Sequence, residues 1–85
     1  MKLSKTQAEV IGKMQEGWTL YLGLPIGPWL EKVEKGKKFR NVYKVDVNQK
    51  TADALQKKGL TALKHKIGFT YTYTLTDKAR EMFND

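Results

Sequence analysis

Cysteine is absent from the 85 residues, which excludes disulfide cross-links and thiolate metal sites and leaves packing as the source of stability. Histidine occurs once, at His65. It has no Ser–His–Asp arrangement around it and no partner at metal-ligand spacing. No glycine-rich phosphate loop is present, and the nine acids are scattered along the chain. The chain is therefore expected to have no catalytic residues, no cofactor and no metal, and not to be an enzyme. Long apolar runs are missing too, so no membrane span is expected. The N-terminal stretch lacks the apolar core of roughly 7–15 residues that marks a signal peptide, which makes a cytoplasmic protein the expectation. Eighty-five residues leave room for one domain, 1–85. The 40% apolar and 29% charged composition is that of a folded chain.

Charge is present in excess and unevenly. The net charge is +7. Between Lys35 and Lys66 ten basic residues face only Asp46 and Asp53, a local net of +8, while the remainder nets −1. Such asymmetry points to a polyanionic partner, with a lysine-rich solvated surface as the plain alternative.

Hydrophobic periodicity gives the elements. Ser4 is placed to cap a first helix with Gln7 as its capping-box partner and Leu3 stapled against Ala8. Ala8, Val10, Ile11 and Met14 form the buried stripe, and Gly17 terminates the helix. Gly12 inside that helix suggests close packing against another element. From Trp18 the period becomes two. Strands are expected at 18–22, 29–33 and 38–47, the last with Tyr43, Val45 and Val47 on one face, separated by the turn-rich 23–28 and a hairpin turn at 34–37. Asn48, or equally Asp46, can cap a helix over 49–58 that buries Ala52 and Leu55 and ends at Gly59 with Leu60 closing onto Leu55. A hairpin follows, from Leu60 to Lys66 and from Phe69 to Leu75 with a turn near Ile67 and Gly68. Phe69, Tyr71, Tyr73 and Leu75 alternate with threonines as the core-facing side of a half-buried strand, or as a base-stacking platform. Thr76 and Asp77 open a last short helix burying Ala79, Met82 and Phe83.

The fold class is thus α+β, in the order α-βββ-α-ββ-α. The run Thr51-Ala52-Asp53-Ala54-Leu55-Gln56-Lys57-Lys58-Gly59-Leu60, followed by Tyr73-Thr74-Leu75-Thr76-Asp77-Lys78-Ala79-Arg80, resembles the back half of winged-helix regulators of the MarR type. The resemblance implies a recognition helix and a C-terminal β-hairpin wing. The opening helix resembles that of small phage and prophage proteins, and the order of elements is also similar to a toxin-like family of topoisomerase inhibitors. One departure stands out: residues 18–47 read as a meander where a helix-turn-helix has a supporting helix.

With Leu55 inward, Gln49, Lys50, Asp53, Gln56 and Lys57 project outward, and glutamine and lysine are side chains able to read base edges. Lys64, His65 and Lys66 near the hairpin tip are candidates to contact phosphates or enter a minor groove, or form a solvated tip, and Lys35, Lys37, Lys38 and Arg40 at the other hairpin are candidate phosphate anchors, or charges that keep an edge from pairing with another sheet. Duplex DNA is the expected partner, bound for an accessory or regulatory role such as transcription regulation. The alternative is a phage-encoded protein-interaction module that inhibits a host enzyme, with Trp18 and Trp29 as anchors against an acidic surface.

Overall fold

Ser4 begins the first helix as its composition suggests: its hydroxyl accepts from Gln7 N at 3.2 Å while Gln7 Oε1 accepts from Ser4 N at 3.3 Å. In the computed structural model, which describes residues 3–24, 26–36 and 38–83, this helix is α1 (Lys5–Gln15). Gly17, with φ 103°, turns the chain after it, a left-handed conformation that costs glycine nothing. Val10, Ile11 and Met14 are buried. Ala8, expected in the buried stripe, is exposed, and Leu3 packs against the core. Beyond the helix's own backbone, no atom of the described residues lies within 4 Å of where a Gly12 Cβ would be, so this glycine marks no close contact with another described element. Both residues stand off the stripe set by Val10, Ile11 and Met14, and the helix packs along that stripe alone.

Three strands follow as an antiparallel meander, β1 (Thr19–Gly23), β2 (Gly27–Lys35) and β3 (Arg40–Asp46). The strand expected at 29–33 extends further in both directions, since Gly27 and Pro28 pair with Gly23 and Leu22. The hairpin turn accordingly lies at 36–39, closed by Gly36 N donating to Phe39 O at 2.7 Å, instead of at 34–37. Then come α2 (Gln49–Lys57), β4 (Thr61–Ile67), β5 (Thr70–Leu75) and α3 (Asp77–Phe83). The sheet order is β3-β2-β1-β5-β4. The C-terminal hairpin therefore does not stand free as a wing: β5 pairs with β1 in the middle of the sheet and β4 forms its edge.

Asn48 is the cap of α2, its side chain accepting from Lys50 N at 2.8 Å. The helix ends in a Schellman motif, with Leu60 N donating to Leu55 O and Gly59 N to Gln56 O, both at 3.0 Å. Gly59 holds φ 74° there. Gly59→Ala is expected to destabilise by about 1–2 kcal/mol, the cost of the left-handed region for a residue with a Cβ, measurable as a lowered urea midpoint at unchanged slope.

Alternation divides the sheet. Leu20, Leu22, Leu30, Tyr71, Tyr73 and Leu75 share the face that carries the helices, where Leu20, Leu30 and Leu75 join Val10, Ile11, Met14, Val47, Leu55, Leu60 and Ala79 in one core. Thr19, Tyr21, Trp29, Glu31, Thr70, Thr72 and Thr74 share the opposite face. Tyr71 and Tyr73 are half-buried, but Phe69, expected beside them, is 77% exposed, because it belongs to the turn and precedes the strand. Tyr43 and Val45 remain exposed while Val47, just past β3, is buried. Met82 packs against the core; the side chain of Phe83, expected there too, lies outside the described residues.

Candidate nucleic-acid interface

β2 has nine residues and β1 only five. The last β1 residue in register, Thr19, pairs with Glu31, so the four pairs from Lys32↔Tyr43 to Lys35↔Arg40 have no neighbouring strand on the β1 side. At about 3.3 Å per residue, this two-stranded ribbon runs on the order of 13 Å beyond the sheet before its turn. Every described residue from Val33 to Asp46 is exposed. From Lys32 to Lys44 the sequence has six basic residues and one acid, Glu34. Lys32 pairs with Glu34 at 3.7 Å and Lys44 with Glu31 at 3.9 Å, whereas Lys35, Lys38 and Arg40 have no carboxylate partner among the described residues. Lys37 lies outside the described residues. By alternation Lys35, Arg40 and Lys44 point to the face of Trp29, away from the helices.

At the root of the ribbon Trp29 stacks on Tyr21 with centroids 5.6 Å apart and planes 21° apart, and Lys44 Nζ lies 5.4 Å from the Trp29 ring centroid. The indole lies so close over Gly23 that a Cβ there would stand 2.8 Å from it. Gly23→Ala is expected to push Trp29 off the sheet and to cost about 1–3 kcal/mol through overpacking, read as a thermal melt together with loss of the near-UV circular dichroism of the Tyr–Trp pair.

The other candidate residues are distributed differently. On α2, Lys50, Asp53 and Lys57 are exposed. Gln49 spends its amide donor on Asp53 at 3.0 Å, and both border, with Gln56, a crevice of about 30 Å³ over Leu22 and Pro28. Lys64, His65 and Lys66 lie within β4, not at the hairpin tip; the tip is formed by Gly68 and Phe69. Lys66 reaches over Tyr71, 5.3 Å from its centroid, on the helix-bearing face, but His65 pairs with Thr72 on the other. One surface that includes α2 therefore takes in Lys66 without His65. The ribbon and β4 sit at opposite edges of the sheet, four strand spacings or about 19 Å apart.

Two features were not read from sequence. The β1–β2 and β4–β5 turns meet, with Leu24 N donating to Phe69 O at 3.2 Å, and present Leu24, Ile26, Ile67 and Phe69 at 56%, 82%, 71% and 77% exposure. Their signal was there, apolar residues flanking turn glycines and proline. The projecting ribbon was legible as well, in a first strand half as long as the third.

Comparison of the chain with protein-family models, curated proteins and solved structures gives no match. The surface has to be read from its own chemistry. Among the described residues no group of three or more histidines and carboxylates is placed to hold a metal, and no helix is long and apolar enough to cross a membrane.

Proposed function

We propose that this is a small, non-enzymatic DNA-binding accessory or regulatory protein of the cytoplasm that grips a duplex with its β2–β3 ribbon. The observation that carries the reading is the ribbon itself: exposed from Val33 to Asp46 and bearing Lys35, Lys38 and Arg40 without carboxylate partners among the described residues. A two-stranded ribbon fits the major groove of B-DNA, about 12 Å wide. Lys35 and Arg40, directly opposite each other in register, would straddle a phosphate run and fix orientation, which is what phosphate contacts do. Phe39, 75% exposed in the turn, and Val42, 51% exposed on β3, are apolar groups available to the bases. In this reading the ribbon takes the part that the winged-helix resemblance gives to the C-terminal hairpin, and Lys50 and Lys57 of α2, on the opposite face of the sheet, take no part.

Fluorescence anisotropy with a labelled duplex tests it. Affinity is expected to fall about 100-fold between roughly 50 and 200 mM salt if four phosphates are neutralised. Absence of binding at low salt, or binding indifferent to salt, rejects the proposal.

The exposed turn cluster of Leu24, Ile26, Ile67 and Phe69 favours one second reading, a protein-interaction module such as an inhibitor of a host enzyme. Pull-down from a bacterial lysate with and without nuclease separates the two, since only the first reading loses its partners on digestion.

A further inference from the structure

The β-bulge in β4 has a chemical consequence. Leu63 pairs with Tyr73 and His65 with Thr72, so Lys64 is the extra residue between them. Bulges re-aim the side chain they carry. Lys64 borders a groove of about 530 Å³ together with Thr72 and Thr74 of β5, Gln15 and Trp18 at the junction of α1 and β1, and Arg80 of α3. Two cations from separate elements thus border one space with no carboxylate among its described lining residues. Neither Lys64 nor Arg80 has an ion-pair partner among the described residues. Lys13 Nζ lies over the Trp18 ring, 4.8 Å from its centroid. Like charges held around a shared cleft repel one another, and an anion placed between them relieves that repulsion. The neutral lining suits the same ligand: two threonine hydroxyls and an amide can donate to oxygens, and an indole offers flat apolar surface. The volume lies within the usual range for small-molecule sites, about 300–1,000 Å³.

We infer that this groove binds a phosphate monoester attached to a planar ring, the chemistry of a nucleoside monophosphate. Lys64 and Arg80 take the phosphate oxygens, Arg80 with its planar fork. Thr72 and Thr74 complete the oxygen contacts, and Trp18 borders the ring. Its two cations, Lys64 and Arg80, lie on β4 and α3 and are not among the ribbon residues of β2 and β3. The same chemistry is supplied by a free nucleotide and by the 5′-phosphate end of a nucleic-acid strand.

Titration of the ¹⁵N-labelled protein with adenosine monophosphate, followed by NMR, tests the inference. Saturable shifts are expected at the Thr72 and Thr74 amides and the Trp18 indole N–H, with none from adenosine. Lys64→Gln combined with Arg80→Gln should weaken binding by roughly tenfold or more, the size expected for losing charge-assisted hydrogen bonds. Lys64→Arg should retain it. Both side chains are on exposed residues, so the variants should keep the wild-type circular dichroism spectrum. A 5′-phosphorylated oligonucleotide that binds more tightly than its unphosphorylated counterpart identifies the strand end as the source; equal binding of the two oligonucleotides, beside saturable binding of the mononucleotide, identifies the free nucleotide. Absence of saturable shifts with both phosphorylated probes, or undiminished affinity in the folded double variant, overturns the inference. Neither result bears on ribbon binding, which is read from salt-dependent duplex affinity.

Discussion

Leu55→Ala is expected to lower the unfolding free energy by about 2–5 kcal/mol, the range for a leucine removed from a packed core. Leu55 and Leu60 are both fully buried. Their Schellman contact is also the hub of the C-terminal half: Thr76 N donates to Leu60 O at 3.1 Å, Thr76 Oγ1 to Gly59 O at 2.6 Å and Lys78 Nζ to Lys58 O at 3.1 Å. Lys58 Nζ in turn donates to Gln7 Oε1 at 2.7 Å, tying the end of α2 to the capping box of α1. The cavity left by truncation would thus open where three helix ends and β5 meet, with little freedom to collapse. For a domain of this size each kcal/mol corresponds to about 4–8 °C in Tm. A drop of at least about 8 °C is therefore expected in a thermal melt, and one corresponding to under about 1 kcal/mol would mean that the side chain is not held as described.

What could be read from the sequence here was whatever is decided within a few residues. The capping box at Ser4 and Gln7 and the Gly59–Leu60 stop depend on local hydrogen bonds and backbone conformation and are legible in the sequence, whereas Asn48 and Asp46 are equally good caps there and only the structure selects Asn48. The α+β class followed from the switches in period. Placement across the sheet was a different matter. The tyrosine–threonine alternation of β5 is the same whether its hairpin projects or is built in, because the pairing of β5 with β1 is a contact between residues about fifty apart in sequence. The bulge at Lys64 leaves no local signature either, so the groove it borders and the partnership with Arg80 were out of reach. Ala8 and Gly12 were misjudged for a smaller reason: a helix that packs along one narrow stripe leaves even its small apolar residues outside.

The largest functional effect is expected from the ribbon variant Lys35→Gln, Lys38→Gln, Arg40→Gln. If these three side chains lie on phosphates, the slope of log affinity against log salt should become shallower by about 2.7, or 0.9 per contact. The loss should be uniform over specific and random duplexes, since phosphate contacts carry no sequence information. All three residues are exposed and lack carboxylate partners among the described residues, so no ion pair between described residues is given up and the melt should stay within about 0.5 kcal/mol of wild type. Two comparison variants locate the interface. Lys64→Ala with Lys66→Ala, at the far edge of the sheet, should change the slope little, because a duplex seated on the ribbon leaves β4 about 19 Å away. Gln49→Ala with Lys50→Ala should matter only if α2 enters the groove, in which case it costs roughly 1–3 kcal/mol on a preferred sequence and much less on others. Gln49 already gives one of its two amide N–H groups to Asp53, which favours Lys50 as the stronger of the two. A ribbon variant that binds with wild-type affinity and slope, beside an α2 or β4 variant that does not, would move the interface to the helix-bearing face. Equal and complete insensitivity of all three would leave the exposed apolar turns, with Ile26 and Phe69 at their tips, as the surface that meets a partner.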